Sequence, residues 1–245
     1  MEKYLRSAVI TGIAGGIGRA LEQAFLKEGY KVIGLDCDTP GNPDWLNVDL
    51  SVLVRSPEVR DHFLPALLKR LDGQLDVLIN NAAYQVVKPL QDISLEDWQR
   101  SLDINLTASF LLTQTLTPLL KAAGGSVINI GSIHANLTKP HFSAYATSKG
   151  ALHTLTRALA VELAPEIRVN AIAPAATDTL MLRSGLNNDP KLLAQLGGYH
   201  PMQRIAAPEE IAATALFLSS PAAGFITGSI LGVDGAISAR LHDPE

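Results

Sequence analysis

"VITGIAGGIG", Val9 to Gly18, is the stretch on which the fold is read. The apolar, β-branched run Ala8–Thr11 predicts a strand, and Gly16–Lys27 predicts a helix directly after it. Between them lie Gly12, Gly16 and Gly18. So tight a strand-to-helix turn needs residues without a Cβ. The same residues let a phosphate approach backbone N–H groups at a helix N-terminus, where the dipole favours negative charge. Glycines alone satisfy either requirement. Their place in the first βα turn is the usual position of a dinucleotide.

Outward from that turn, short apolar runs alternate with longer helical patterns. Strands are predicted at Lys31–Asp36, Leu46–Val48, Asp76–Asn80, Ser126–Ile130, Arg168–Ile172 and Ser229–Val233. Helices are predicted at Pro57–Leu71, Leu95–Ala122, Ala144–Leu163 and Pro208–Ser219. Ser94 with Asp97 three residues later suits an N-cap, and Pro208 followed by Glu209-Glu210 suits a first turn. "VLIN" and "VINI" are apolar on both faces, as in a parallel sheet covered on both sides. The expectation is one doubly wound α/β sheet of the Rossmann type with helices on both faces, residues 1–245 forming a single domain. Ala173–Ala207, rich in Gly, Pro and Asn, reads as an irregular ligand loop following a strand, a small substrate lobe at about 175–207.

Composition narrows the function. The 245 residues carry a net charge of -4 with no basic block, which argues against a nucleic-acid partner. Hydrophobic residues make up 47% and charged residues 18%, a globular balance. The one cysteine, Cys37, forms no internal disulfide, reads as a packing residue and suits a reducing cytoplasm. Met1–Arg6 lacks a signal-peptide run, and no segment is apolar enough for a membrane span. The six histidines have no metal-ligand spacing, so no metal site is expected. Neither G-x-S-x-G nor G-x-x-x-x-G-K-[ST] is present.

Chemistry is suggested by "SAYATSKG", Ser143–Gly150. Tyr145 and Lys149 are four apart and share a helix face. A free phenol is a poor base at neutral pH, and a nearby ammonium favours the phenolate. The spacing by itself also fits a surface pair. Ser132 stands 13 residues before Tyr145, just after the buried run "VINI", where α/β active sites gather. At the end of the second strand, Asp36 can accept hydrogen bonds from ribose hydroxyls and repel a 2′-phosphate. No Arg or Lys precedes Gly18 in the turn, which favours NAD over NADP. A strand-end Asp that is merely solvated is the alternative.

These stretches together resemble the short-chain dehydrogenase/reductase family over about Ser7–Ala236. The motifs are T-G-x-x-x-G-x-G at Thr11–Gly18, "NNAA" at Asn80–Ala83, "SVINIGSIHA…HFSAYATSKGAL" and "RVNAIAPAATDTLM". The resemblance implies a catalytic set of Ser132, which orients the substrate oxygen, Tyr145, which transfers the proton, and Lys149, which lowers the tyrosine pKa and holds the nicotinamide ribose. Asn105 would anchor a water in the proton relay; a hydrogen bond that bends the helix is the other use of an Asn there. Cofactor contacts would come from Gly12, Gly16, Ile17, Gly18, Asp36, Asp49, Leu50, Asn81, Ala82, Pro174, Thr177 and Thr179. Asp49 before Leu-Ser also fits a helix cap. Ala83, Ala175 and Ala236 stand where the family usually has glycine.

"SIHA…KPHFSAYATSKGAL" is similar to bacterial glucose dehydrogenases of the family. It places His134 at the substrate with Ser132 and Tyr145; packing under the loop is the alternative. Met181, with Asn136, Leu186 and Tyr199, is a further pocket candidate. The implied protein is an NAD-dependent oxidoreductase of secondary alcohols and ketones, acting on a sugar, polyol or hydroxy acid. It would be a homotetramer or dimer built on the two long helices and the last strand. An NADPH-dependent carrier-linked or xenobiotic ketoreductase, and a dinucleotide-sensing binding protein, are the alternatives.

Overall fold

The computed structural model describes residues 5–39 and 41–241. Seven parallel strands form one sheet: β1 (Ser7–Thr11), β2 (Lys31–Asp36), β3 (Trp45–Asn47), β4 (Val77–Asn80), β5 (Ser126–Ile130), β6 (Arg168–Pro174) and β7 (Ile230–Val233). Their order is β3-β2-β1-β4-β5-β6-β7. The chain winds outward from β1 to β3, then returns to β4 on the other side of β1. The switch point therefore lies between β1 and β4, where α/β sheets open a crevice at the carboxyl ends of their strands.

Alternation along each strand sorts the core into two layers. Val9, Leu78, Val127 and Val169 face one side, packed on Leu67, Leu116, Leu120 and Leu163. Ala8, Ile10, Ile79, Ile128 and Ile172 face the other, packed on Leu21, Phe25, Ile211 and Leu218. The helices of the first layer are α2 (Leu50–Arg55), α3 (Pro57–Arg70), α5 (Ala108–Ala123) and α6 (Ser143–Leu163); α1 (Gly16–Lys27) and α9 (Pro208–Ser219) cover the second. Both faces are buried, as the apolar strand runs require.

Three stretches differ from the expectation. Leu50–Arg55 is helical; at six residues it is too short to show a period, and Asp49 caps it through the Ser51 N–H at 2.8 Å. The long helix is three pieces: α4 (Leu95–Leu102), a π-helical turn at Asp103–Thr107, and α5. The segment after β6 is largely ordered as α7 (Leu180–Gly185) and α8 (Pro190–Tyr199) rather than irregular. Cys37 is exposed instead of packed, and its thiol approaches Asp36 Oδ1 at 3.6 Å.

The first turn explains its glycines by sterics. Gly12 has φ +66°, and a Cβ there would lie 2.7 Å from Ala82 Cα. A Cβ on Gly18 would overlap the Gly12 carbonyl and reach 2.8 Å from Ile13 Cα, backbone that cannot yield. Among the three alanines in usual glycine positions, Ala83 and Ala175 lack a positive φ, so their methyls are tolerated; Ala236 sits at φ +66°, in the left-handed region. Gly18→Ala is expected to destabilise the fold by about 3 kcal/mol through overpacking. That is a melting point lower by roughly 6–12 °C in calorimetry; an unchanged melting point would refute the clash.

Candidate active site

The carboxyl ends of β1, β4, β5 and β6 form one rim, and the predicted residues gather along it. Thr11 ends β1, and its hydroxyl accepts the N–H groups of Asn81 and Ala82, each at 2.9 Å. Asn81 Nδ2 returns two bonds, to the carbonyls of Thr11 (2.9 Å) and Gly12 (3.0 Å). The glycine turn is thus stapled to β4. On its other side, Asp36 Oδ2 accepts the Ala14 N–H at 2.9 Å. Helix α1 begins at Gly16 with no side-chain cap and no acidic residue in its first turn, leaving its N-terminal donors for an anion. From β6, Thr179 caps α7 and lays its methyl against Gly16, where a Cβ would be 2.9 Å away. Pro174 closes β6, and Thr177 is buried with its hydroxyl on the Ala175 carbonyl at 3.2 Å. Asp49 and Leu50 open α2, on the strand-β3 side of the rim.

The residues expected to do acid–base work lie on the same rim, beyond β4 at the end of β5 and on α6. Ser132 follows β5, is buried, and accepts the His134 N–H at 3.1 Å. Its hydroxyl is also close enough to the Tyr145 phenol to oppose part of the rise in the phenol's pKa. Lys149, one helical turn beyond Tyr145 on α6, is 1% exposed, and its Nζ is 5.7 Å from the Tyr145 ring centre. The ammonium donates to the Ile130 carbonyl at 2.7 Å, its one acceptor among the described residues. No carboxylate compensates it, and burial pushes its pKa down to about 8. In the chain alone burial pushes the phenol up, the Ser132 hydroxyl opposes this only in part, and Lys149 is not among the causes.

Asn105 lies in the π turn, and its side chain makes three hydrogen bonds: Oδ1 accepts the Tyr84 N–H (2.7 Å), while Nδ2 donates to the Tyr84 carbonyl and to Ser148 Oγ (both 2.9 Å). Ser148 in turn donates to the Tyr145 carbonyl at 2.7 Å. The side chain therefore braces the floor under Tyr145, and the helix is altered at that position. The same turn is anchored outward, Asp103 receiving Arg55 of α2 at 2.5 Å.

His134 stacks on Phe142 (4.6 Å between centres, 5° between planes) and meets Tyr145 edge to face at 5.8 Å. Its Nδ1 pairs with the Thr138 hydroxyl at 3.0 Å. Met181 is exposed on α7, and no contact ties it to Ser132 or Tyr145. Ser148 and His153 were not singled out in the sequence, and Thr11 was named only as the first residue of the glycine motif. Their signal was present, in T-G-x-x-x-G-x-G and in residues adjoining Lys149, but each acts through partners distant in sequence. Among the described residues no His/Cys/Asp/Glu cluster could hold a metal, and no helix is long and apolar enough to cross a membrane.

Glycine turn, strand-end serine and Tyr-x-x-x-Lys helix on a seven-stranded parallel sheet define a class that sequence comparison also reaches. A family model described as "Enoyl-(Acyl carrier protein) reductase" matches residues 12–238, and the chain belongs to the short-chain dehydrogenase/reductase family. It is 34% identical to glucose 1-dehydrogenase 2 of Bacillus subtilis, with 95% of each chain covered. Ligand-free aldohexose dehydrogenase of Thermoplasma acidophilum superposes with a TM-score of 0.90 at 34% identity, covering 98% of this chain and 97% of that one. A 4-hydroxyisoleucine dehydrogenase complexed with NADH gives 0.86 at 27% identity, covering 96% and 100%. A Beutenbergia cavernae protein assigned as an NAD(P)-dependent gluconate 5-dehydrogenase, with NADP at low occupancy, gives 0.86 at 30%, covering 96% and 97%. This chain is an oxidoreductase relative of enzymes acting on CH–OH groups, in a family that binds nicotinamide cofactors.

The uncompensated ammonium has a stability consequence. Lys149 is a base whose folded pKa lies below the unfolded value of 10.5. Between about pH 8 and 10.5 the unfolded chain holds a proton that the folded chain has released, so stability rises with pH across that window. At neutral pH the burial costs roughly 3 kcal/mol. Lys149→Met is therefore expected to raise the melting point of the cofactor-free protein at pH 7 and to flatten the rise above pH 8, measured by denaturation at fixed ionic strength. A variant less stable than wild type at pH 7 would contradict this account.

Proposed function

We propose that the protein interconverts a secondary alcohol and a ketone, or a lactol and a lactone, with NAD(H), and that Tyr145 is its acid and base. The observation that carries this reading is the convergence of Ser132, Tyr145 and Lys149 on the rim that also carries the glycine turn. The residues present fit a dinucleotide. The buried Lys149 ammonium has three donors and one protein acceptor, and the uncapped start of α1 with Gly16, Ile17 and Gly18 faces the crevice. Gly12, Asn81, Ala82, Pro174, Thr177 and Thr179 would frame the molecule, with Asp36, Asp49 and Leu50 on its adenosine side. When bound, the nicotinamide supplies the carbon that gives or accepts hydride.

Everything else falls to the chain. In the oxidation direction Tyr145 takes the hydroxyl proton of the alcohol while Ser132 holds the same oxygen. In reduction Tyr145 returns the proton. In the chain alone burial raises the phenol's pKa; acid–base work needs a pKa near the working pH, which the Lys149 ammonium together with an oxidised nicotinamide would favour by stabilising the phenolate. Asn105 and Ser148 hold the Tyr145 backbone while the proton moves. His134 presents a polar ring to a hydroxylated substrate, and Met181 is a further candidate for the substrate pocket. The sugar and hydroxy-acid names among the relatives support a polyol, sugar or hydroxy acid. We place the enzyme in the cytoplasm as a single-domain protomer of a dimer or tetramer. Exposed apolar side chains on the long helices and the sheet edge, Phe110, Val161 and Leu231, support that assembly.

Tyr145→Phe is expected to lower kcat by about 10³-fold or more, with NADH affinity within threefold of wild type by fluorescence titration. The assay is a panel of sugars, polyols and hydroxy acids followed by NADH absorbance. Activity within tenfold of wild type would remove Tyr145 from the chemistry.

Asp36 supports NAD over NADP. Its carboxylate keeps lone pairs beyond those taken by the Ala14, Cys37 and Asp38 donors, and its charge opposes a 2′-phosphate. Asp36→Ser is expected to lower kcat/KM for NAD by roughly tenfold while raising that for NADP, so that the ratio of the two moves by about 10²-fold. An unmoved ratio would count against NAD selection by Asp36.

A further inference from the structure

His153 is buried beside the proposed machinery without a hydrogen-bonding reason to be there. It follows Lys149 by four residues on the same face of α6, is 3% exposed, and its Nε2 has no partner. A buried imidazole nitrogen without a partner is unfavourable, and an aliphatic residue of similar size would avoid it. The ring rests on Gly131. A Cβ at that position would approach Cδ2 of His153 to 2.8 Å and Nε2 more closely still, and would lie 3.1 Å from the Ile172 carbonyl. Gly131 is not in a left-handed conformation, so its missing side chain is explained by this contact and not by its backbone.

Gly131 separates two groups that the proposed chemistry uses. Before it stands the Ile130 carbonyl, the acceptor of Lys149; after it stands Ser132. The N–H of Gly131 donates to the Ile172 carbonyl at 2.7 Å, so the strand end is held between β6 on one side and the imidazole on the other. The ring stays uncharged, because burial and the cations of Lys149 and Arg157 push its pKa down to about 4.

We propose that His153 is a positioning residue: seated on Gly131, its imidazole sets the path of Ile130–Ser132, and with it the placement of the Lys149 acceptor and of the Ser132 hydroxyl against Tyr145. This rests on the acid–base reading of Tyr145.

The test is a double-substitution cycle of Gly131→Ala and His153→Ala. In the wild-type background, Gly131→Ala is expected to lower kcat by about 30-fold with NADH affinity changed less than threefold; in the His153→Ala background the same change costs less than about threefold. His153→Ala alone lowers kcat by about tenfold. A second readout needs no substrate: the titration of the Lys149 ammonium by NMR in cofactor-free protein. Gly131→Ala moves it by half a pH unit or more in wild type and leaves it in place in the His153→Ala background, a result that stands even if no alcohol in the panel is turned over. If Gly131→Ala alone does not fold, a folded double variant is the same suppression. Equal penalties in both backgrounds overturn the proposal. So does a double variant that fails to fold where His153→Ala folds, or a His153→Ala protein that loses melting temperature alone.

Discussion

A single buried positive charge organises this site. Among the described residues Lys149 has no carboxylate partner, and one carbonyl, that of Ile130, meets its ammonium. A cation held this way is unfavourable in the free chain and becomes favourable once acceptors or a developing negative charge arrive. The strand end at Ile130, the helix face of Tyr145 and Lys149, and the glycine on which His153 rests are all arranged around that charge. In the free chain burial holds the phenol beside the lysine above its ordinary pKa.

How much of this was legible depended on how local each feature is. The turn Val9–Gly18 reads correctly because a strand, a helix and the glycines between them lie within a few residues of one another. Tyr145 and Lys149 share a face because helical spacing requires it, and Ser132 joins them because parallel strands place their carboxyl ends on one rim. Helix α2 was missed because six residues carry no measurable period. The π turn at Asp103–Thr107 was missed because one extra residue in a helical ring leaves the apolar pattern on either side intact.

The electrostatics were the least legible part. A phenol near an ammonium reads from sequence as an acidified phenol. In the free chain burial outweighs that expectation and holds the phenol above its ordinary pKa, while the ammonium donates to a main-chain carbonyl. A backbone acceptor has no letter in the sequence. The same holds for Asn105, whose amide is consumed by Tyr84 and Ser148, partners 21 and 43 residues away. The alanines at positions 83, 175 and 236 could be judged only from backbone angles, which separate the two harmless methyls from the one at positive φ.

Arg55 closes a line of contacts that runs across the molecule. Asp49 caps α2, the last residue of α2 grips Asp103, and Asp103 opens the π turn from which Asn105 reaches through Ser148 to the carbonyl of Tyr145. The guanidinium stands half in solvent, far from any reacting atom. It nonetheless fastens the foundation on which the phenol stands, so the outer wall and the Tyr145 ring are parts of one continuous truss.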